Sequence, residues 1–403
     1  MNALTRGRSP ASHTFKARPA GTIDLEVVHT LGEAEESWRR LEADGAHSPF
    51  QTFDWHRLEA RSMTRDKRPA IIVARDRTGT PLWLLPLALE RQRPFRALTW
   101  LAGNQASYGA GLFRRDAAGL FAPGDLETLA ARISRLVPEA HALILLNQRA
   151  DDGHNLLALL PRVDGAGTGY AITLCPWDEL YAARGNRRTR HNDRRREKRL
   201  GEIAPWRVRF AATPDECRRC MEILFAQKSV WLRERGIPDF LADPATRSFL
   251  TALATVPPRS AFRSEVAVLE VGAETAAVSF GLTHGPHHYL LVTSVHPGTD
   301  FRPFSPGDIL FRQVLRSLCA RGLESVDLGV GTTPQKEFYA DRTFRVFHTL
   351  VPLTQAGRIH VAALRARLAA KRWIKDDPVL WELYRRCRRL RGFQAPAGDT
   401  SDR

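Results

Sequence analysis

The stretch FSPGDILF, Phe304–Phe311, decides the fold, because the earlier stretch FAPGDLET, Phe121–Thr128, repeats its pattern. Each places a Phe, a small residue and then Pro-Gly-Asp in front of a run of apolar residues with helical spacing. Proline suits the first turn of a helix, and an acidic side chain there complements the helix dipole. Both stretches therefore predict a helix that begins at Pro-Gly-Asp.

The segments around the two stretches repeat as well. Residues 69–103, before FAPGDLET, have the pattern strand, turn, strand, turn, strand, and residues 264–298, before FSPGDILF, have the same pattern. A short apolar strand follows each predicted helix: HALILLNQ at 141–148 and ESVDLGVG at 324–331. This order predicts a tandem duplication of one α/β (α+β) unit, with a mixed, mainly antiparallel sheet flanked by helices.

The length of 403 residues favours two domains over a single core. We predict a disordered tail at 1–21, a first domain at 22–170 and a second domain at 171–353. Residues 354–403 are strongly basic and are predicted to form a helical extension that ends in a frayed tail.

Charge and composition limit the class of protein. The formal net charge is +16, carried mainly by arginine, which favours anionic partners such as phosphates, nucleotides, nucleic acid or an anionic membrane. The chain has no apolar run of the roughly 18 residues that a membrane span needs, and its first residues show no secretory signal, so we expect a cytoplasmic protein. The five cysteines form no zinc-ligand pattern, and we expect no metal.

The second Pro-Gly-Asp is a candidate phosphate site. The free N–H groups of a helix start attract anions, Gly307 allows close approach of the backbone, and Arg302 lies just upstream. With Ser305, Asp308 and Val295 of the preceding strand, these residues form the predicted cofactor-binding set. An ordinary helix cap is the alternative interpretation.

The motifs along the chain favour the phosphate interpretation. They are, from the N-terminus, SPFQTFDW at Ser48–Trp55, GAETAA at Gly272–Ala277, SPG at Ser305–Gly307 and GLESVDLGVG at Gly322–Gly331. In this order they resemble the CelD/BcsL-type acetyltransferases, a GNAT-superfamily family that carries the label of cellulose biosynthesis. The resemblance spans roughly residues 45–353. The usual pyrophosphate loop of the GNAT superfamily, of the type Q/R-x-x-G-x-G/A, has two glycines, whereas the sequence here is Arg-Pro-Phe-Ser-Pro-Gly from Arg302, with one.

The resemblance implies two tandem GNAT-like domains and transfer of an acyl group from a CoA thioester, with acetyl-CoA as co-substrate. The implied acceptor is a saccharide or amino-containing molecule of exopolysaccharide or cell-envelope metabolism. Peripheral contact of the protein with an anionic inner membrane or with a polysaccharide synthase complex is considered as well. The chain is also similar to Fem-type aminoacyl transferases, which share the tandem fold and use aminoacyl-tRNA. That reaction, with tRNA as partner, and a catalytically inactive adaptor of an envelope synthase complex are the alternatives.

Candidate catalytic residues follow the second helix start. Asp327, near the end of ESVDLGVG, is predicted to be the base or to orient the nucleophile, and His296 is a second candidate base. The resemblance to Fem-type enzymes assigns oxyanion stabilisation to Lys336. Tyr339 or Tyr289 is predicted to protonate the leaving thiolate. Each residue also has a purely structural alternative: an ion pair, a turn position or a packing contact.

Acceptor binding is predicted for Tyr108, Tyr289 and Arg187, and the first domain is expected to shape the acceptor side. Arg187 belongs to the basic tract RGNRRTRHNDRRREKRLG at 184–201. The tract is predicted to be a solvated helix face, to contact phosphate groups of CoA or the acceptor, or to bind RNA. For the basic extension after residue 353, a packed helix and contact with a membrane surface are both considered.

Overall fold

The computed structural model describes residues 23–45, 47–63, 66–103, 105–116, 123–152, 155–160, 162–257, 260–298, 300–377 and 379–380. The predicted tail at 1–21 and the part of the extension beyond residue 380 lie outside the described residues. Within these ranges, none of the helices combines the length and apolar character that a membrane crossing requires.

The strands and helices alternate in two similar series. The strands are β1 Asp24–Val28, β2 Lys67–Pro69, β3 Ile71–Arg75, β4 Pro81–Leu85, β5 Leu87–Gln92, β6 Phe95–Trp100, β7 Leu112–Phe113, β8 Ala142–Arg149, β9 Arg162–Thr173, β10 Trp206–Phe210, β11 Arg263–Val271, β12 Glu274–His284, β13 His287–Val295, β14 Ser325–Val330 and β15 Arg342–Pro352. The helices are α1 Leu31–Asp44, α2 Phe53–Glu59, α3 Pro123–Leu136, α4 Trp177–Arg184, α5 Arg187–Ile203, α6 Pro214–Glu234, α7 Pro244–Ala254, α8 Pro306–Ala320, α9 Pro334–Tyr339 and α10 Gln355–Asp376.

Most strands join one sheet of eleven, in the order β10-β11-β12-β13-β14-β9-β15-β8-β6-β5-β2. In this sheet β13 and β14 are parallel, as are β6 and β8, and the other described neighbours are antiparallel. A second, antiparallel sheet has the order β1-β3-β4-β7. The predicted mixed, mainly antiparallel α/β fold is therefore confirmed.

Two strands exchange places between the first half (β1 to β8) and the second half (β10 to β14). β9 follows the first half in the chain but pairs with β14, and β15 follows the second half but pairs with β8. β9 and β15 also pair with each other, at the centre of the sheet. The predicted domain boundary after residue 170 falls inside β9 and stays a prediction.

The sheet opens where β13 and β14 separate. These parallel strands pair only from His287↔Ser325 to Tyr289↔Asp327. Just beyond, Leu291 forms a bulge in β13, because its register with β12 passes from Val292 directly to Leu290. A bulge bends its strand, and here it accompanies the separation of β13 from β14. We call the resulting gap the second-half wedge.

The repeated pattern of the sequence is largely present. Both Pro-Gly-Asp stretches begin helices, α3 at Pro123 and α8 at Pro306, as predicted. The three-stranded meander predicted at residues 69–103 is wrong in one respect, because its middle strand is divided at Pro86 into β4 and β5. Proline has no N–H to donate to a ladder, and the two pieces belong to different sheets.

The two halves share a hydrophobic core. The ring of Trp55 lies 5.1 Å from that of Phe249, and the ring of Phe50 lies 5.6 Å from that of Tyr289. The predicted basic extension is helical as far as Asp376, as α10. This helix packs Val361 against a cluster that includes Leu350 of β15 and Ile144 of β8.

Candidate functional site

A cavity of about 580 Å³ lies beside the second-half wedge, between the end of β13, the start of α8, α5 and α9. All five predicted cofactor-binding residues line it: Val295, Arg302, Ser305, Gly307 and Asp308. The predicted catalytic residues His296 and Tyr339 line it as well. The fold therefore brings seven residues of the sequence prediction together around one cavity.

The start of α8 presents a backbone suited to an anion. Ser305 has the left-handed conformation, with φ 53° and ψ 60°, and its side chain caps no N–H group of the helix. Its carbonyl accepts hydrogen bonds from the N–H groups of Asp308 and Ile309, at 2.9 and 3.2 Å. Pro306 has no N–H, and the N–H of Gly307 has no acceptor in the described part of the chain. Ser305 thus occupies the left-handed position that glycine usually fills, which explains how the loop forms with one glycine.

Gly307 lies against the end of β13. A Cβ atom on Gly307 would lie 2.9 Å from Cγ1 of Val295, so the helix start and the strand leave no room for a side chain. On its other edge β13 pairs with β12, whereas beyond Tyr289 the edge toward β14 has no strand partner among the described residues. An extended ligand with amide groups can pair with such an edge, in the manner of an added strand.

Cationic side chains border this cavity. Arg302 donates to both carboxylate oxygens of Glu234 on α6, at 3.0 and 3.2 Å, and about half of its side chain is exposed. Arg196 of α5 also lines the cavity, 3.9 Å from Asp193. The predicted acceptor-binding residue Arg187 is exposed at the start of α5 and does not line this cavity.

A buried arginine that the sequence analysis missed joins α5 to α8. The side chain of Arg312 is 3% exposed and reaches Glu197 at 2.9 Å and Asp193 at 3.3 Å. It also pairs with Asp308 at the start of its own helix. The two acids of the basic tract therefore face inward and dock α5, while most of the tract's arginines are exposed. Their spacing of four residues was the available signal, since it places both acids on one helix face.

Asp327 lies at the base of the second-half wedge and is held by both halves. Its Oδ1 accepts hydrogen bonds from the Tyr108 hydroxyl at 3.0 Å and the Gly329 N–H at 2.7 Å, and its Oδ2 accepts one from Arg149 at 2.7 Å. Three donors on two oxygens are typical of an ionised carboxylate. Burial nevertheless raises the pKa of Asp327 above its usual value, against the opposing effect of Arg149.

Arg149 was also missed by the sequence analysis. It ends β8 of the first half, and its guanidinium lies 3.8 Å from the ring centroid of Phe344 and 5.3 Å from that of Tyr108. The contact with Asp327 spans 178 residues, and the local sequence around either partner gives no signal for it.

Lys336 lies close to the same carboxylate. Its Nζ donates a hydrogen bond to the Val330 carbonyl at 2.9 Å. A Cβ atom on Gly329 would lie 3.9 Å from the same Nζ. Burial lowers the pKa of Lys336 to about 8, although the Asp327 carboxylate acts in the opposite direction. The structure thus places Lys336 beside Asp327 at the end of β14, and its role in catalysis stays a prediction.

The aromatic and imidazole candidates fall into two groups. Tyr108 and Tyr289 are buried near Asp327 and do not line the cavity, so acceptor binding stays a prediction for both. Tyr339 donates to Asp308 at 3.3 Å, and burial raises its pKa. His296 accepts a hydrogen bond from Gly298 at Nδ1, 3.1 Å away, which occupies the lone pair that a general base would use.

The corresponding gap in the first half is filled. β6 and β8 pair in parallel at Ala97↔Ala142 and Leu98↔Leu143, and we call the space beyond them the first-half wedge. There Trp100 donates from Nε1 to the Leu146 carbonyl at 2.8 Å, and the Gly109 N–H donates to the Asn147 carbonyl at 2.9 Å. A Cβ on Gly109 would lie 2.1 Å from Nε1 of Trp100, so the loop packs directly on this ring.

Within the residues that the structure describes, no group of three or more His, Cys, Asp or Glu side chains is arranged to hold a metal ion. The cavity beside the second-half wedge is lined by main chain, hydroxyl and apolar groups, by Arg196 and Arg302, and by two carboxylates, Asp193 and Asp308. Arg312 pairs with both carboxylates. The helix start and the two arginines at the cavity suit a phosphate-bearing organic ligand.

Comparison with known proteins agrees with this geometry. The family model for the acetyltransferase (GNAT) domain matches residues 187–339, the segment that holds α5 to α9 and the cavity. The chain matches none of the curated protein sequences.

Solved structures with a similar fold cover most of the chain. A conserved protein of unknown function from Bacteroides thetaiotaomicron is 12% identical with a TM-score of 0.51, over 82% of this chain and 99% of that one. FemX is 11% identical with a TM-score of 0.50, over 79% of this chain and 96% of that one. At this identity the similarity concerns the fold alone. Residues 187–339 therefore contain a GNAT acetyltransferase-like domain, and the fold of the whole chain is shared with solved structures that it matches over about four fifths of its length.

Proposed function

We propose that the chain is an acyltransferase that takes an acyl group from a CoA thioester, with acetyl-CoA as the donor. The observation that carries the proposal is the cavity beside the second-half wedge, where a bare helix start meets the unpaired edge of β13. The acceptor is an amine or hydroxyl of a saccharide or amino-containing molecule of exopolysaccharide or envelope metabolism. The acceptor class and the CelD/BcsL-type assignment rest on the motif resemblance.

The donor would bind by three kinds of contact. The Gly307 N–H and the dipole of α8 would hold the pyrophosphate, with Arg196 and Arg302 as cations at the rim. Arg302 would exchange its contact with Glu234 for a phosphate oxygen. The amides of the pantetheine arm would pair with the free edge of β13, which directs the thioester toward the wedge.

The reaction would take place where β13 and β14 part. The acceptor nitrogen or oxygen attacks the thioester carbonyl carbon, the C–S bond breaks and CoA leaves as a thiolate. The ammonium of Lys336 would stabilise the negative charge on the carbonyl oxygen, and solvent would protonate the thiolate. The hydroxyl of Tyr339 contacts Asp308 at the helix start, where the pyrophosphate would bind, so its predicted role as proton donor is not part of this scheme. The acceptor's proton would pass to solvent. His296 follows the end of β13 beside the helix start, with its Nδ1 held by Gly298, and its predicted role as base is not part of this scheme.

Asp327 is given a positioning role in this scheme. Both of its oxygens are occupied by donors from Tyr108, Gly329 and Arg149. Its charge opposes the loss of the Lys336 proton and holds the first half against the end of β14. This role differs from the base or nucleophile-orienting role that the sequence predicts for Asp327, which stays a prediction.

Thermal unfolding with acetyl-CoA tests the proposal. A ligand that binds only the native state must raise the melting temperature, so we expect a concentration-dependent rise with acetyl-CoA. Adenosine 3′,5′-bisphosphate is the matched control, because it carries phosphates and no thioester arm, and it should stabilise the protein less.

Two outcomes would contradict the proposal. Stabilisation by aminoacyl-tRNA that survives moderate salt, without any effect of acetyl-CoA, would support the Fem-type alternative. Absence of stabilisation by millimolar acetyl-CoA and by aminoacyl-tRNA would favour an inactive adaptor.

A further inference from the structure

Helix α10 has two apolar faces. One face is buried: Val361, with Leu364 and Leu368 beside it, packs against β15, β8 and β6. On the opposite face Ile359 is 67% exposed and Trp373 is 66% exposed. Such large apolar side chains on a helix surface are costly unless something covers them.

The exposed apolar residues form a continuous stripe. Ala363, Ala366 and Ala370 are exposed and fill the space between Ile359 and Trp373 at spacings of three and four residues. Residues at these spacings lie on one side of a helix. We call this the α10 stripe, formed by Ile359, Ala363, Ala366, Ala370 and Trp373.

Basic side chains flank the α10 stripe on both sides. Arg358, Arg365 and Arg372 are spaced by seven residues, so they lie in one row along one border of the stripe. Arg367 and Lys371, four residues apart, lie along the other border. The helix has a single acidic residue, the Asp376 that ends it.

We propose that the α10 stripe lies on an anionic lipid surface, with the helix axis in the plane of the membrane. Apolar residues flanked on both sides by cations are what the boundary between acyl chains and anionic headgroups accommodates. Trp373 stands near one end of the stripe, and tryptophan is favoured at this boundary. The helix does not cross the membrane, because its opposite face is packed on the protein.

Two features favour lipid over a protein partner. The exposed alanines give a shallow, uniform strip, whereas protein interfaces are anchored by large side chains in pockets. The cations form two parallel rows without interspersed acids, which matches a surface of uniform negative charge rather than a partner with a defined charge pattern. The proposal is independent of acyl transfer, since it uses no residue of the cavity.

Flotation with lipid vesicles tests the proposal on the full chain. The wild-type chain should float with vesicles of phosphatidylcholine containing about 30% phosphatidylglycerol, and far less with phosphatidylcholine alone. The double variant Ile359→Ser/Trp373→Ser should reduce the partition coefficient at least about tenfold, because both side chains lose their apolar contact with lipid. Both positions are exposed, so the melting temperature should stay close to that of the wild type.

A matched pair of charge variants tests whether vesicle binding depends on the arginines of α10 or only on the net charge of the protein. Arg358→Gln/Arg365→Gln should weaken binding about fivefold for each lost charge. Arg188→Gln/Arg195→Gln removes two exposed arginines with the same spacing from α5, which has no exposed apolar stripe, and should weaken binding much less. Equal losses in the two variants would overturn the proposal, because binding would then follow total charge.

Two further results would also overturn it. One is a wild-type chain that does not float with anionic vesicles, or that floats to the same extent with both vesicle types. The other is a lipid-free wild-type dimer in sedimentation velocity that Ile359→Ser/Trp373→Ser converts to monomers, since a second copy would then cover the stripe.

Discussion

The two wedges of the sheet share a topology and differ in what occupies them. In the first half, β6 pairs with β5 without any bulge, and Trp100 with the loop at Gly109 fills the gap beside β8. In the second half, β13 has a bulge at Leu291 and a cavity of about 580 Å³ lies beside it. The same strand order is therefore accompanied by this cavity where β13 is bulged and the gap is open, and Trp100 fills the corresponding gap in the first half.

The helices beside the two wedges also differ, in what they contact at matching positions. Four residues after the Asp of Pro-Gly-Asp, α8 has Arg312, whereas α3 has Leu129. Arg312 pairs with the acids of α5 and with Asp308, and Leu129 is buried in an apolar cluster of the first half. The ion pairs thus hold α5 at the wall of the second-half cavity, and the first half has an ordinary packing contact at the matching position.

The largest expected effect is on stability. Arg312→Met leaves the carboxylates of Asp193 and Asp308 without their buried cation, and loss of one partner of such a group costs about 3–5 kcal/mol. Leu129→Met in the first half conserves volume and should cost less than about 1.5 kcal/mol. The free energy of unfolding from urea titrations measures both variants, and similar losses would show that the two helices are held alike.

The second prediction concerns the charge at the second-half wedge. If Lys336 stabilises the oxyanion, Lys336→Met should lower kcat by about 10²–10³. The active form is the ammonium, and burial lowers the pKa of Lys336 to about 8, so the rate should fall as the pH rises through about 8. In Lys336→Arg the remaining kcat should stay constant to higher pH, because the guanidinium group remains charged.

The measurement is kcat against pH with an acceptor that does not titrate in this range. A falling limb that stays at the same pH in Lys336→Arg would assign that limb to another group.

The third prediction compares the two glycines of the repeated Pro-Gly-Asp. Gly307→Ala places a methyl group 2.9 Å from Val295 Cγ1, at the cavity wall, and should weaken acetyl-CoA binding by about 1–3 kcal/mol, or about 5- to 150-fold. Gly124→Ala, at the matching position of the first half, should leave the dissociation constant unchanged. Equilibrium titration measures both, and an equal change in the two variants would remove the distinction between the wedges.

The smallest expected effect comes from the filled wedge. Trp100→Phe removes the hydrogen bond from Nε1 to the Leu146 carbonyl and should lower the free energy of unfolding by about 1 kcal/mol. Acetyl-CoA binding should not change, since Trp100 lies in the half without the cavity. A second binding event in this variant would show that Trp100 alone closes the first-half wedge.

Sequence patterns within short windows predicted the features of this fold that depend on neighbouring residues. The two helix starts, the second meander and the residues around Gly307 follow from proline, glycine and apolar spacing within short windows. The exchange of β9 and β15 depends on pairing between distant segments, which periodicity does not encode. The contact of Arg149 with Asp327 was missed for the same reason. The sequence placed Ser305 at the site but gave no indication of its left-handed backbone conformation, because serine seldom adopts that conformation.

The number of acetyl-CoA molecules bound per chain tests the difference between the wedges most directly. Isothermal titration calorimetry of the wild-type chain should give one site, and Gly307→Ala should weaken that site while Gly124→Ala leaves it intact. Two sites of similar affinity, or a single site that responds to Gly124→Ala and not to Gly307→Ala, would contradict the account.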